Sequence, residues 1–245
     1  MQSDLRSKLK GALDAYAERC GHALEEVRAV LFDMDGVLYD SMPGHCKAWK
    51  QMCDENGIDS DPDEFYAYEG RTGASTIDIL FRRQFGHGAT EDDVKRLYGR
   101  KADLFKAEGP APLMSGAKDA VEAVRAASAT PVLVTGSGQA SILERLNHDY
   151  DGAFPASHRV TAHDVKYGKP DPEPYLMGLA KAGVAKYQAV AVDNAPLGVE
   201  AASRAGVFTI GVRTGPLPEG CLKEAGADIE IFSMSECAVL LKELL

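Results

Sequence analysis

The chain has 245 residues, 45% of them hydrophobic and 26% charged, a balance that suits one or two globular domains and excludes disordered and fibrous classes. Lys and Arg number 27 against 37 Asp and Glu, a formal net charge of −10, so neither nucleic acid nor an anionic membrane surface is an expected partner. No apolar run nears the roughly 18 residues that span a bilayer, and the N-terminal MQSDLRSKLKGALDAYAERC lacks the apolar stretch of a secretory signal; a soluble, cytoplasmic protein is expected.

Residues 2–26 read as an amphipathic helix, because Leu5, Leu9, Leu13 and Tyr16 return to one face. Residues 1–27 are therefore expected as an N-terminal helical extension, packed on the same chain or on a second subunit. The period then changes. Residues 28–33 form a short apolar run of the kind buried on both faces of a parallel sheet. Similar runs recur at 131–135, 189–193, 207–212 and 227–232, with helical patterns at 116–128, 141–148, 174–183 and 197–205 between them. That alternation predicts an α/β, doubly wound parallel sheet of Rossmann-like type, spanning 28–43 and 116–245.

Residues 44–115 interrupt it. They carry helical stretches at 46–56, 75–85 and 91–108 and no strand pattern, and the prolines Pro110 and Pro112 close the segment. An inserted small α-helical cap is expected, with Trp49 and Tyr66 packing its interior. The five cysteines, Cys20, Cys46, Cys53, Cys221 and Cys237, contain no C-x-x-C pair, which suits reduced thiols in a reducing compartment.

In a doubly wound sheet, functional groups gather at the carboxyl ends of the strands. Three predicted strand ends carry reactive chemistry here. The first opens DMDGVLYDS at 33–41, the second TGSG at 135–138 and a later one DNAPLG at 193–198; between the last two lies YGKPDP at 167–172, which would hold Lys169 in a fixed loop. Acidic groups for a hard cation, a hydroxyl and amides for phosphate oxygens and one ammonium together describe a phosphoryl site.

The ordered set Asp33-x-Asp35, Thr135, Lys169 and Asp193-Asn194 resembles the four motifs of the haloacid dehalogenase (HAD) superfamily of phosphatases and phosphomutases. The resemblance runs from about residue 28 onward, and the helical insert matches that family's small cap. It implies that Asp33 is a nucleophile forming an aspartyl-phosphate, ionised at neutral pH without an activating base. Asp35 would be the general acid/base, with its backbone carbonyl on Mg2+. Thr135, helped by Gly136 and Ser137, would hold phosphoryl oxygens, and Lys169 would neutralise charge. The hard oxygens of Asp33, Asp35 and either Asn194 or Asp193 suit Mg2+ better than zinc.

The chain departs from the pattern twice. The fourth motif usually carries two acids, and here Asn194 stands at the position that is commonly the direct metal ligand, leaving Asp193 as the alternative. The cap loop EGRTG at 69–73 aligns with the loop from which β-phosphoglucomutases supply a lysine and an arginine to a distal phosphate, but Glu69 and Gly73 occupy those places. With DNAPLG, the loop looks more like a hydrolase branch that includes inorganic pyrophosphatases. Glu69 is then either a cap carboxylate that reaches the metal or a solvated partner of Arg71. His45 either orients Asp35 or a substrate oxygen, or is a surface histidine.

The expectation is a Mg2+-dependent phosphohydrolase acting on a small phosphate monoester or on pyrophosphate. A β-phosphoglucomutase-type enzyme is the alternative, and a phosphoacceptor signalling module, which would lack a cap, the remote one. A monomer suffices for this chemistry, and oligomeric state is left open.

Overall fold

The computed structural model describes residues 2–137 and 140–245; Gly138, the end of the TGSG turn, lies outside them. Helix α1 (Gln2–Cys20) precedes strand β1 (Ala29–Phe32). Four helices follow: α2 (Met42–Glu55), α3 (Glu64–Ala67), α4 (Gly73–Phe85) and α5 (Glu91–Ala107). The chain then returns through α6 (Ala117–Ala126), β2 (Thr130–Val134), α7 (Ala140–Asp149) and β3 (Arg159–Val160). Helix α8 (Glu173–Ala182), β4 (Ala189–Asp193), α9 (Pro196–Arg204) and β5 (Phe208–Val212) come next, and α10 (Cys221–Glu224), β6 (Ile229–Ile231) and α11 (Met234–Leu244) end the chain. None of the described helices is long and apolar enough to cross a membrane.

The six strands are parallel in the order β3-β2-β1-β4-β5-β6. The central strands bury both faces, and their two-residue period divides the interior. Val30, Phe32, Val190 and Val192 join one cluster with Leu9 and Tyr16 of α1 and with side chains of α6 and α11. Ala29, Leu31, Ala189 and Ala191 join the other, under α8 and α9. Five strands lie where the apolar runs place them; β3, only two residues long, leaves no period to read.

The inserted helices form their own apolar cluster, including Cys46, Trp49, Phe65, Ile77, Leu80 and Leu97. Trp49 stacks on Phe65 at 5.7 Å, and Tyr66 packs against the cluster. Helix α2 starts at Met42, ahead of the expected 46, because Pro43 in its first turn is already shaped for a helix. Two linkers join this layer to the sheet side by side, Asp40 donating to Pro112 O at 2.9 Å and Met114 to Leu38 O at 3.0 Å.

Helix α1 stops at Cys20 rather than running to 26, because Gly21 takes a left-handed φ of 66°. It packs on its own chain. Tyr16 is fully buried, edge-on to Phe208 at 5.5 Å, and donates to Gly206 O at 3.0 Å. Arg19 Nη2 reaches both oxygens of buried Asp228 at 2.9 Å, and Thr209 N donates to the same carboxylate. Arg19→Ala would leave part of a buried acceptor unmatched, so a loss of about 1–3 kcal/mol is expected in urea unfolding. An unchanged midpoint would mean that α1 is held by its apolar face alone.

Candidate active site

Adjacent parallel strands end together, so Asp33 beyond β1 and Asp193 at the end of β4 meet above the sheet. The Asp33 amide continues the ladder by donating to Val192 O at 2.9 Å. Lys169, from the loop before α8, lies between the two acids: its Nζ is 2.5 Å from Asp33 Oδ1 and 2.7 Å from Asp193 Oδ2. All three side chains are buried. Burial alone would lower the lysine, but Asp193 and Asp33 outweigh it and hold the ammonium well above its ordinary range.

Asp193 is held on both oxygens. Beside Lys169 it accepts from Tyr175 OH at 2.5 Å, and its other oxygen accepts from Ala195 N at 3.0 Å. Donors thus meet both oxygens of Asp193, which leaves it less capacity for a metal than Asn194, whose Oδ1 has none. Gly198 is what lets α9 come so near: a Cβ there would lie 2.0 Å from Asp193 Oδ2.

Asp35, two residues beyond Asp33, turns towards the inserted helices. Ser41 Oγ donates to its Oδ1 at 2.6 Å, and His45 Nε2 lies 3.4 Å from the same atom. Lys101 Nζ is 2.6 Å from His45 Nδ1. An ammonium can only donate, so the neutral imidazole carries its proton on Nε2, facing Asp35. The imidazole stacks on Phe105 at 3.8 Å, and Lys101 lies over Trp49 and Phe105 at 5.2 and 5.1 Å. Burial pulls Lys101 down to about 8 and, with the lysine's charge, lowers His45.

The two aspartates are thus driven apart. Burial pushes both up. At Asp33 the neighbouring Asp193 and Asp35 add to that push, Lys169 opposes it, and the carboxyl stands at about 7. At Asp35 the His45 and Ser41 hydrogen bonds and the Lys101 charge prevail, and the net shift is downward. Desolvation in a carboxylate-rich site thus opposes the charge on Asp33, and Lys169 is the group that supports it.

The inserted layer closes over this floor. Glu69 Oε2 accepts from Asn194 Nδ2 at 2.9 Å, so Glu69 is neither solvated nor paired with Arg71. Gly70, with φ of 85°, lets the loop settle where a Cβ would be 3.3 Å from Lys169 Cδ. Arg71 instead reaches Ser75 Oγ at 3.4 Å. Thr135, buried just beyond β2, accepts from Ser137 N through its Oγ1 at 3.0 Å. Asp33, Asp35, His45, Glu69, Arg71, Gly136 and Ser137 share a cavity of about 110 Å³ with Lys101. Ser41, Tyr175 and Lys101 were not singled out from the sequence: Ser41 lies within the first motif, but nothing linear ties Lys101 to His45.

Glu69 Oε1 and Asn194 Oδ1 are buried without a hydrogen-bond donor. Burial, then the charges of Asp33, Asp35 and Asp193, drive the Glu69 carboxyl well above its usual range. Among the described residues no three His, Cys, Asp or Glu side chains form a metal cage. Orphaned hard oxygens in a site with surplus negative charge nonetheless fit a Mg2+ ion bound through mixed donors.

A profile of the haloacid dehalogenase-like hydrolases matches residues 27–206. The chain belongs to this family. Phosphorylated carbohydrates phosphatase of Thermotoga maritima is 32% identical over 224 residues, covering 89% of this chain and all of that one. A β-phosphoglucomutase of Mycobacterium bovis is 30% identical over 248 residues, covering 86% of this chain and 92% of its own. Among solved structures, a Bacteroides vulgatus protein provisionally assigned to the β-phosphoglucomutases superposes with a TM-score of 0.92 at 44% identity, covering 97% of both chains. The family assignment and the phosphatase relatives make the chain a hydrolase-type enzyme with the expected sheet and cap.

The raised carboxyls of this haloacid dehalogenase-like hydrolase have a pH signature. Between the ordinary carboxylate range and about 7, the unfolded chain has released a proton that Asp33 tends to retain when folded, and the upward shift of Glu69 acts in the same direction. Metal-free protein therefore loses stability as pH rises through that window. A cation that binds the ionised site opposes the loss by mass action, so Mg2+ is expected to raise Tm more at about pH 7.5 than at about pH 5. Each kcal/mol corresponds to roughly 2–4 °C at this size, and equal shifts at both values would place the ion elsewhere.

Proposed function

We propose that the protein is a Mg2+-dependent phosphohydrolase that frees phosphate from a small phosphorylated compound through an aspartyl-phosphate on Asp33. The opposed settings of Asp33 and Asp35 carry this reading: one carboxyl is clamped by Lys169 on the floor, the other is turned to the far side of the cavity. Paired carboxyls with pKa values driven apart mark divided roles.

Asp33 attacks phosphorus, forming a carboxylate O–P bond as the ester O–P bond breaks. Lys169 offsets the charge gathering on Asp33 and the phosphoryl oxygens, and the Thr135 hydroxyl and Gly136 amide hold those oxygens. The leaving oxygen takes its proton from Asp35. Because Asp35 leans towards its ionised form, that proton arrives with the substrate monoanion, whose second pKa is about 6. Asp35 then removes a proton from water, which attacks phosphorus and returns Asp33. Asp33, the Asp35 carbonyl, Asn194 and cap residue Glu69 would hold Mg2+, which would supply further positive charge at the phosphoryl oxygens.

The relatives' names support phosphorylated carbohydrates as the substrate class. The mutase reading is favoured by the names of other relatives, but Glu69 and Gly73 stand at the two cap positions from which the mutases grip a second phosphate, leaving Arg71 and Lys101 as the cap cations that line the cavity. Pyrophosphate rests on Glu69 alone, whose seat on Asn194 suits a compact, metal-chelating substrate. Glu69→Ala should then lose more activity on pyrophosphate than on an organic phosphate; equal losses would remove pyrophosphate from the substrate class.

Asp33→Asn is expected to abolish steady-state phosphate release with the fold intact. Asp35→Asn should slow an unactivated ester by about 10²–10⁴-fold and an activated aryl phosphate far less in the first step. Equal loss on both substrates would remove Asp35 from the acid/base role. Free phosphate rather than an isomer, measured on a sugar phosphate, separates hydrolase from mutase.

A further inference from the structure

Gly73 opens α4 without a positive φ, and Thr72 caps that helix by accepting from Ser75 N. The backbone therefore makes no demand for glycine there. The demand comes from Tyr98 on α5: a Cβ at position 73 would lie 2.1 Å from Tyr98 Cδ2, 2.3 Å from Cε2 and 2.9 Å from Cγ. Cγ is the root of the ring, so tyrosine cannot yield by swinging its tip. Trp49 stands on another side, with ring centroids 6.3 Å apart.

This wedged ring lines the active-site cavity and is still 41% exposed. It stands at the mouth. Lys101, three residues on along α5, faces the same way and holds Asp35 through His45. Burial and, after it, the Asp35 charge raise the Tyr98 hydroxyl, which places ring and carboxyl in one electrostatic neighbourhood. On the proposed hydrolase reading, the side of Asp35 is the side of the leaving group.

We infer that Tyr98, backed by Gly73, sets the upper size of the leaving group: short polyol phosphates fit between Asp35 and the ring, and hexose phosphates do not. Tyr98 is a specificity-determining residue, acting by volume rather than by its hydroxyl.

The test compares kcat/KM for glycerol phosphate and a hexose 6-phosphate in wild type, Tyr98→Ala, Tyr98→Phe and Gly73→Ala. Tyr98→Ala should shift the ratio towards the hexose ester by about tenfold or more, and Tyr98→Phe should keep the wild-type ratio. Gly73→Ala displaces the ring and should move the ratio in the same direction as Tyr98→Ala. Combined with Tyr98→Ala it should add nothing, because the two act through one contact. Calorimetric binding of the same phosphates with Mg2+, in Asp33→Asn with and without Tyr98→Ala, reads the discrimination without turnover. Wild type that frees no phosphate while the binding ratio still shifts would defeat the hydrolase reading and leave the size limit standing. An unchanged ratio in Tyr98→Ala and Gly73→Ala, with both folded by circular dichroism, overturns the inference.

Discussion

A buried ammonium between two buried carboxylates is the constraint on which the rest of the site depends. Lys169 touches Asp33 and Asp193, which end on neighbouring strands β1 and β4. Such a triad is tolerable only when every oxygen is matched, since an unpaired buried charge destabilises by several kcal/mol. Tyr175 and the Ala195 amide complete Asp193, and Gly198 gives that amide its approach. The loop carrying Lys169, the start of α9 and the face of α8 are thereby placed by one electrostatic requirement. Asp33 keeps an oxygen without a donor, and it lines the cavity.

A second consequence is the separation of two chemically identical side chains. Asp33 and Asp35 are two residues apart, yet one lies against the core triad and the other against Ser41, His45 and Lys101. Met34 between them is buried in the sheet-side core, and the two side chains leave it for different surroundings. Each layer thus supplies the surroundings of one carboxyl. A site built this way has both groups in their settings only when the layers are together.

Much of this was legible in the sequence. Apolar runs ending in DMD, TGS and DNA place Asp33, Thr135 and Asp193 at strand ends, because buried parallel strands have a strong compositional mark. The period change after β1 likewise announced the helical insert. What stayed hidden depends on tertiary approach. His45, Lys101 and Phe105 form one stack from two helices, and neither helix alone shows which face meets the other. Gly73 reads as a loop glycine until Tyr98 is seen against it. β3 was too short to carry a period, and the end of α1 turned on the left-handed Gly21 rather than on its apolar pattern.

The position of Glu69 ties the charge balance of the site to the position of the cap. Seating it on Asn194 brings a fourth carboxyl among Asp33, Asp35 and Asp193, and both burial and like charge push it towards its neutral form. Asn194 in place of an acid removes one negative charge from the meeting point, so an amide can greet the incoming carboxyl with a donor. An aspartate there would repel it at close range. The asparagine and the cap glutamate are therefore complementary: the core supplies a neutral amide where the cap supplies a carboxyl, and hard oxygens come from both layers. The charge balance of the site therefore depends on both layers at once, because the carboxyl that adds to it comes from the cap and the amide that receives it from the sheet.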